Sequence, residues 1–120
     1  MVFDKDRYDS AQLLEKWLEA DKDARTIVVD GIEVEGYEPD HEDLIQLFWK
    51  SITAIDNKVQ EFCSEECNRS GEDSKNYVTD LSWVSLEDGQ LEMGYWGRFV
   101  NVELRVSLDD KMNIMDIYFQ

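Results

Sequence analysis

Hydrophobic positions change period twice along this chain of 120 residues. Leu13, Leu14, Trp17 and Leu18 recur at helical spacing, and Asp9 followed by Gln12 supplies a capping signal ahead of them. They predict a short amphipathic helix through about Ala20, with Glu15, Lys16 and Glu19 on its outer side. The period then drops to two. In TIVVDGIEVEG, two β-branched runs flank Asp30-Gly31, a strong hairpin signal. Ile32 and Val34 alternate with Glu33 and Glu35, as in a half-buried strand with an acidic outer face.

Helical spacing returns after Pro39-Asp40. Leu44, Phe48, Ile52, Ile55, Val59 and Phe62 form the stripe of a long core-facing helix reaching about Cys67. Asp40 is its expected N-cap, with Glu42 and Asp43 in the first turn, where the helix dipole favours acid. NRSGEDSKN, residues 68–76, is turn-rich and predicts a surface loop. Beyond it YVTDLSWVSL, QLEMGYW, RFVNVELRVSL and MNIMDIYF read as strands separated by Glu-Asp-Gly, Gly-Arg and Asp-Asp-Lys. In the third run Val100, Val102, Leu104, Val106 and Leu108 alternate with polar residues. The expected fold is α+β: an antiparallel sheet, made of an N-terminal hairpin and a C-terminal four-stranded meander, packed against one long helix beside a short N-terminal helix.

Length allows one domain, residues 1–120. A hydrophobic content of 42% argues against disorder despite the charge. That charge is −16, from 28 acids against 12 bases. The excess divides evenly, with 15 acids and 7 bases in residues 1–60 and 13 and 5 in residues 61–120. Such a field repels nucleic acid and anionic lipid and favours cationic partners. MVFDKDRYDS has neither the basic end nor the apolar run of a signal peptide, and no apolar run reaches membrane-spanning length. A cytoplasmic location with reduced thiols is expected.

Candidate chemistry is sparse. Cys63 and Cys67 lack the further ligands of a zinc site, and a disulfide four residues apart within a helix has poor geometry. They read as structural thiols, and His41 as a lone exposed histidine. Residues 4–15 and 21–32 fail as calcium loops, for want of ligands or of the closing glutamate. The chain has no G-x-S-x-G nucleophile, phosphate-cradling glycine loop or basic patch. No catalytic residue, metal, cofactor or enzymatic activity is expected.

The unusual feature is EVEGYEPDHED, residues 33–43: six carboxylates within a stretch, from Thr26 to Trp49, that has no lysine or arginine. Three of the six suit a helix N-terminus. The whole set still exceeds what capping requires, making Glu33, Glu35, Tyr37, Glu38, Asp40, Glu42 and Asp43 the candidate partner-binding residues. GYWGRFV, residues 94–100, is the second candidate, because aromatics and arginine dominate binding hot spots. Trp96 and Arg98 are singled out, whereas Tyr95 and Phe99 read as cross-strand packing.

In size, charge and want of a catalytic constellation the chain resembles the immunity proteins of bacterial toxin–immunity systems, of the colicin and contact-dependent growth-inhibition types. The resemblance implies a cytoplasmic inhibitor that neutralises a basic cognate toxin, usually a nuclease, and that binds no nucleic acid or membrane. The alternative is a phage- or plasmid-encoded nucleic-acid mimic that inhibits a host defence complex. A third reading is an acidic domain that self-associates through an edge strand.

Overall fold

A computed structural model describes residues 3–120; Met1 and Val2, the start of the stretch read for a leader, lie outside the described residues. The chain forms α1 (Ser10–Glu19), β1 (Ile27–Val29), β2 (Ile32–Glu35), α2 (Glu42–Ser70), β3 (Thr79–Glu87), β4 (Gln90–Gly97), β5 (Glu103–Leu108) and β6 (Ile114–Phe119). This is the expected α+β arrangement. All six strands join one sheet in chain order, so hairpin and meander are continuous. The joint between them is parallel, Val34 opposite Val84, with α2 as the crossover that parallel neighbours require.

Local chemistry explains the turns. Asp30-Gly31 and Asp88-Gly89 both have positive φ at both residues, the conformation of a tight hairpin whose twist matches its strands. Gly36 must be glycine, because its φ is +71° and an added Cβ would sit 2.3 Å from the Leu86 carbonyl oxygen. Gly71, in the left-handed conformation, ends α2 three residues beyond the predicted stop.

The core lies between the sheet and the helices. Directly paired residues put Val34, Val84, Met93, Val106 and Ile117 in one row facing α2, with Leu81, Tyr95, Leu104 and Phe119 in a row beside it. Ile45, Phe48, Trp49, Ile52, Ile55, Val59 and Cys63 of α2 are buried against this face. Leu44 and Phe62, at the flanks of the predicted stripe, are only partly buried.

Four expectations need correction. Leu18 lies on the outer side of α1 and is 57% exposed, while Leu13 and Trp17 are buried and Leu14 packs partly buried against the core. Asp40 is not the α2 N-cap: Pro39–His41 form a 3-10 turn, and His41 occupies the capping position. The third meander strand begins at Glu103, not Arg98, and residues 98–102 form a loop. Gly97 N–H bonds to the Val102 carbonyl at 2.8 Å and closes that loop, so Val100 alternates in sequence without being in a strand. Finally, Phe99 does not pack across strands but is 57% exposed in the loop, whereas Tyr95 is fully buried as expected.

Candidate interaction surface

The acidic stretch is divided by the fold. Glu33 and Glu35 project from β2 on the side of the sheet away from the helices, and both are exposed. Glu38, Asp40 and Asp43 stand at the entry to α2, also exposed. Tyr37 and Glu42 turn inward. The Tyr37 hydroxyl donates to Glu42 Oε1 at 2.6 Å, and Glu42 Oε2 accepts from Trp17 Nε1 at 2.9 Å and Gln46 Nε2 at 2.8 Å. The Tyr37 ring meets the buried Trp17 edge-on at 5.0 Å.

These bonds set the titration of both groups. The hydrogen bond to Glu42, then burial, then the Glu42 charge push the Tyr37 hydroxyl up to about 12. Burial works to raise the Glu42 pKa, but the bonds from Trp17, Tyr37 and Gln46 prevail and hold it below the ordinary carboxylate range. Tyr37 and Glu42 therefore brace α1, the hairpin and α2 together. They are not the free anchor and free charge that the sequence suggested.

Nor is the stretch devoid of bases in space. Lys16 pairs with Asp30 at 3.0 Å. Lys22 lies over the Trp17 ring, 4.5 Å from its centre. Arg25 joins Lys22, Glu33, Glu35 and Tyr37 around a cleft of about 330 Å³. Residues N-terminal to the stretch fold back beside it, which a linear count of charge cannot show.

A more coherent surface is the open face of the sheet. Register puts Glu33, Trp83, Gly94, Arg105 and Tyr118 in one row across β2–β6. Glu35, Ser85, Glu92, Ser107 and Asp116 form the next row, and Trp96 pairs with Glu103 on the far side. Arg105 is the only cation on the strands of this face. It is already held by Glu92 at 3.0 Å and Glu103 at 2.6 Å, and those bonds, led by Glu103, raise its pKa. Its guanidinium also stacks 5.2 Å from the centre of the Trp83 ring. Gly94 makes room for that indole, since a Cβ there would fall 1.9 Å from it.

Trp96, 43% exposed, is the most open aromatic of these central strands. With Asn101, Glu103, Arg105 and Gln120 it lines a pocket of about 320 Å³. Its walls are an indole, two amides and the Glu103–Arg105 ion pair. Glu33, Glu35 and Trp96 thus share one face, three of the nine candidates. Arg98 is not a free group: it is bound through Nε at 3.0 Å and Nη2 at 2.7 Å to Asp80, the cross-strand partner of Trp96. That hydrogen bond, against a smaller effect of burial, depresses the Asp80 pKa.

Asp80 belongs to a polar cluster that the sequence reading missed. Arg7 grips Asp56 with Nε at 2.8 Å and Nη2 at 3.1 Å, and its Nη1 donates to the Thr79 carbonyl at 2.8 Å and to Asp80 at 3.3 Å. Tyr95 Oη donates to Asp56 at 2.8 Å. Asp56 is 1% exposed, so the network ties the N-terminal segment, α2, β3 and β4 around one buried charge. Burial would lower the Arg7 pKa, but the bonds and charge of Asp56 hold it above its usual value. The legible signal was Asp56 itself, an acid four residues after Ile52 inside the apolar stripe.

The remaining candidates are placed without chemistry. Cys63 and Cys67 are both free thiols. Burial pushes the Cys63 thiol up to about 12, so it is not a nucleophile at neutral pH. His41 Nδ1 accepts the Glu38 N–H at 3.2 Å, fixing the entry to α2. Among the described residues no three His, Cys, Asp or Glu side chains converge as a metal site, and no helix is long and apolar enough to cross a membrane. Comparison with family models, with curated proteins and with solved structures finds no match to this chain.

Proposed function

We propose that this protein is an inhibitor of the immunity type, a cytoplasmic protein that binds a basic toxin domain, of nuclease class, through the open face of its sheet. The observation that carries the reading is the composition of that face. Seven carboxylates (Glu33, Glu35, Asp80, Glu87, Glu92, Glu103 and Asp116) interleave with Trp83, Trp96 and Tyr118, and the one strand-borne cation, Arg105, is already neutralised. Acid steers a basic partner from a distance, and aromatics hold it once docked. Interleaved aromatics favour this over the nucleic-acid mimic, which needs carboxylates at phosphate spacing and gains nothing from indoles. An enzyme that grips phosphate presents arginines and lysines, the side chains that exposed carboxylates such as Glu33, Glu35 and Asp116 attract.

The test is co-expression with the basic toxin domain encoded beside this gene. Growth is expected to be restored, and the two proteins to co-purify as a complex whose affinity falls with salt. A basic neighbour that kills cells regardless of this protein, and does not bind it, overturns the reading.

A further inference from the structure

Arg98 opens the loop between β4 and β5, and it is held more firmly than an ordinary surface arginine. Its N–H donates to the Val78 carbonyl at 2.9 Å, one step past the Thr79–Gly97 pair that ends the β3–β4 ladder. Its side chain then turns back to Asp80, the residue opposite Trp96. The grip is double: Nε reaches Oδ2 at 3.0 Å and Nη2 reaches Oδ1 at 2.7 Å. A planar fork on a carboxylate fixes orientation as well as distance.

Asp80 is itself fixed from behind. Its Oδ1 also accepts from Arg7 Nη1 at 3.3 Å. The Arg7 side chain is only 9% exposed, bound to the buried Asp56 through two nitrogens and to the Thr79 carbonyl through the third. Tyr8, next in the chain, accepts the Leu81 N–H through its hydroxyl at 2.9 Å. Strand β2 meets β3 only from Trp83 onward, so Arg7 and Tyr8 occupy the stretch of β3 that β2 leaves uncovered. Isolated exposed ion pairs contribute little to stability, and two-point geometry within a network of charges is the exception.

What the pair holds is the loop. Gly97 lets the chain pass close to itself, since a Cβ there would fall 2.2 Å from the Val100 carbonyl oxygen. Beyond Arg98 stand Phe99, 57% exposed, and Asn101, which lines the pocket beside Trp96. We infer, on the open-face reading above, that Arg98 is a positioning residue of the interface and not a contact: through Asp80 and Arg7 it holds Phe99 and Asn101 in place beside Trp96.

This role sets the effect of Arg98 on a basic partner against the effect of its charge. As a charge it repels such a partner, and its loss leaves a chain of −16 one unit more acidic, which speeds encounter. As a brace it works the other way, because a loosened loop must be ordered when the partner docks.

Arg98→Gln and Arg98→Lys separate the two. The side chain is half exposed, so both variants are expected to fold. In the free chain, backbone amide relaxation measured by NMR is expected to show larger motion at Phe99, Val100 and Asn101 in both, with β3 and β4 unchanged. Against a basic toxin domain of the kind proposed as partner, Arg98→Gln is expected to associate at least as fast as the unaltered chain. It is expected to dissociate about threefold faster or more. Arg98→Lys keeps the charge but loses the fork, so faster dissociation with unchanged association is expected. Unaltered loop relaxation in both variants overturns the inference. So does a lysine variant that dissociates like the unaltered chain, which would make Arg98 a point charge only. A toxin domain that binds no form of the chain, while the loop loosens as expected, counts against the function proposed above and not against the bracing of the loop.

Discussion

Alternate residues of the same strands build two faces that handle charge in opposite ways. On the covered face a single carboxylate, Asp56, is buried and answered from every side by Arg7 and Tyr95. On the open face seven carboxylates meet one strand-borne arginine, which Glu92 and Glu103 already occupy, while Arg98 of the following loop holds Asp80. The first arrangement is closed: each polar atom of the Arg7–Asp56 pair has its partner inside the molecule. The second is left unbalanced, and the imbalance is available to another protein. The comparison teaches that the fold, rather than the density of charge in sequence, decides which carboxylates are left unanswered.

The largest expected effect breaks the closed face. Arg7→Ala leaves Asp56 buried without its cation and is expected to cost about 3–5 kcal/mol in a denaturant titration. A loss below about 1 kcal/mol would mean that Asp56 reaches water. Ile52→Ala, beside it on α2, is expected to lose about 2–5 kcal/mol through the cavity it leaves.

Acid offers an intermediate test. The folded-state pKa of Glu42 is depressed, so its contribution to stability is present above the ordinary carboxylate pKa of about 4.3 and is lost as pH falls through the folded value. Glu42→Gln is expected to lower the melting temperature at neutral pH and to flatten its decline in acid. An unchanged acid limb would show that the Trp17–Tyr37–Gln46 bonds do not favour the ionised form. Smallest of all is the effect on stability of truncating the open face. Trp96→Ala is expected to change unfolding free energy by no more than about 0.5 kcal/mol, as surface substitutions do, while weakening the complex. A large stability loss would make Trp96 part of the fold rather than of the interface.

Much of the fold was legible because its signals are local. Asp30-Gly31 specified a hairpin through its backbone conformation, and the α2 stripe specified which side of the helix is buried. The parallel β2–β3 joint was not legible, since it depends on how α2 carries the chain back to the hairpin. Of the candidate residues Glu33, Glu35 and Trp96 lie on the open face, but no local pattern says that residues 61 or more positions apart share a surface. Tyr37 and Glu42 misled for the same reason. Trp17, which meets the Tyr37 ring and donates to Glu42, lies 20 and 25 residues from them, respectively, and only the fold brings it there. Phe99 and Val100 misled differently, because alternation continued through a loop that Gly97 closes.

The most direct measurement is the dissociation constant for a basic toxin domain of the kind proposed as partner, compared between two variants of equal charge. Glu33→Gln with Glu35→Gln removes two acids from the open face; Glu61→Gln with Glu65→Gln removes two exposed acids from α2 on the opposite side. The open-face pair is expected to weaken binding about tenfold, equivalent to about 1.4 kcal/mol, with most of the change in association rate. The α2 pair is expected to leave affinity within about twofold. Equal losses from both pairs would show that only net charge matters, and a larger loss from α2 would place the interface on the helical side.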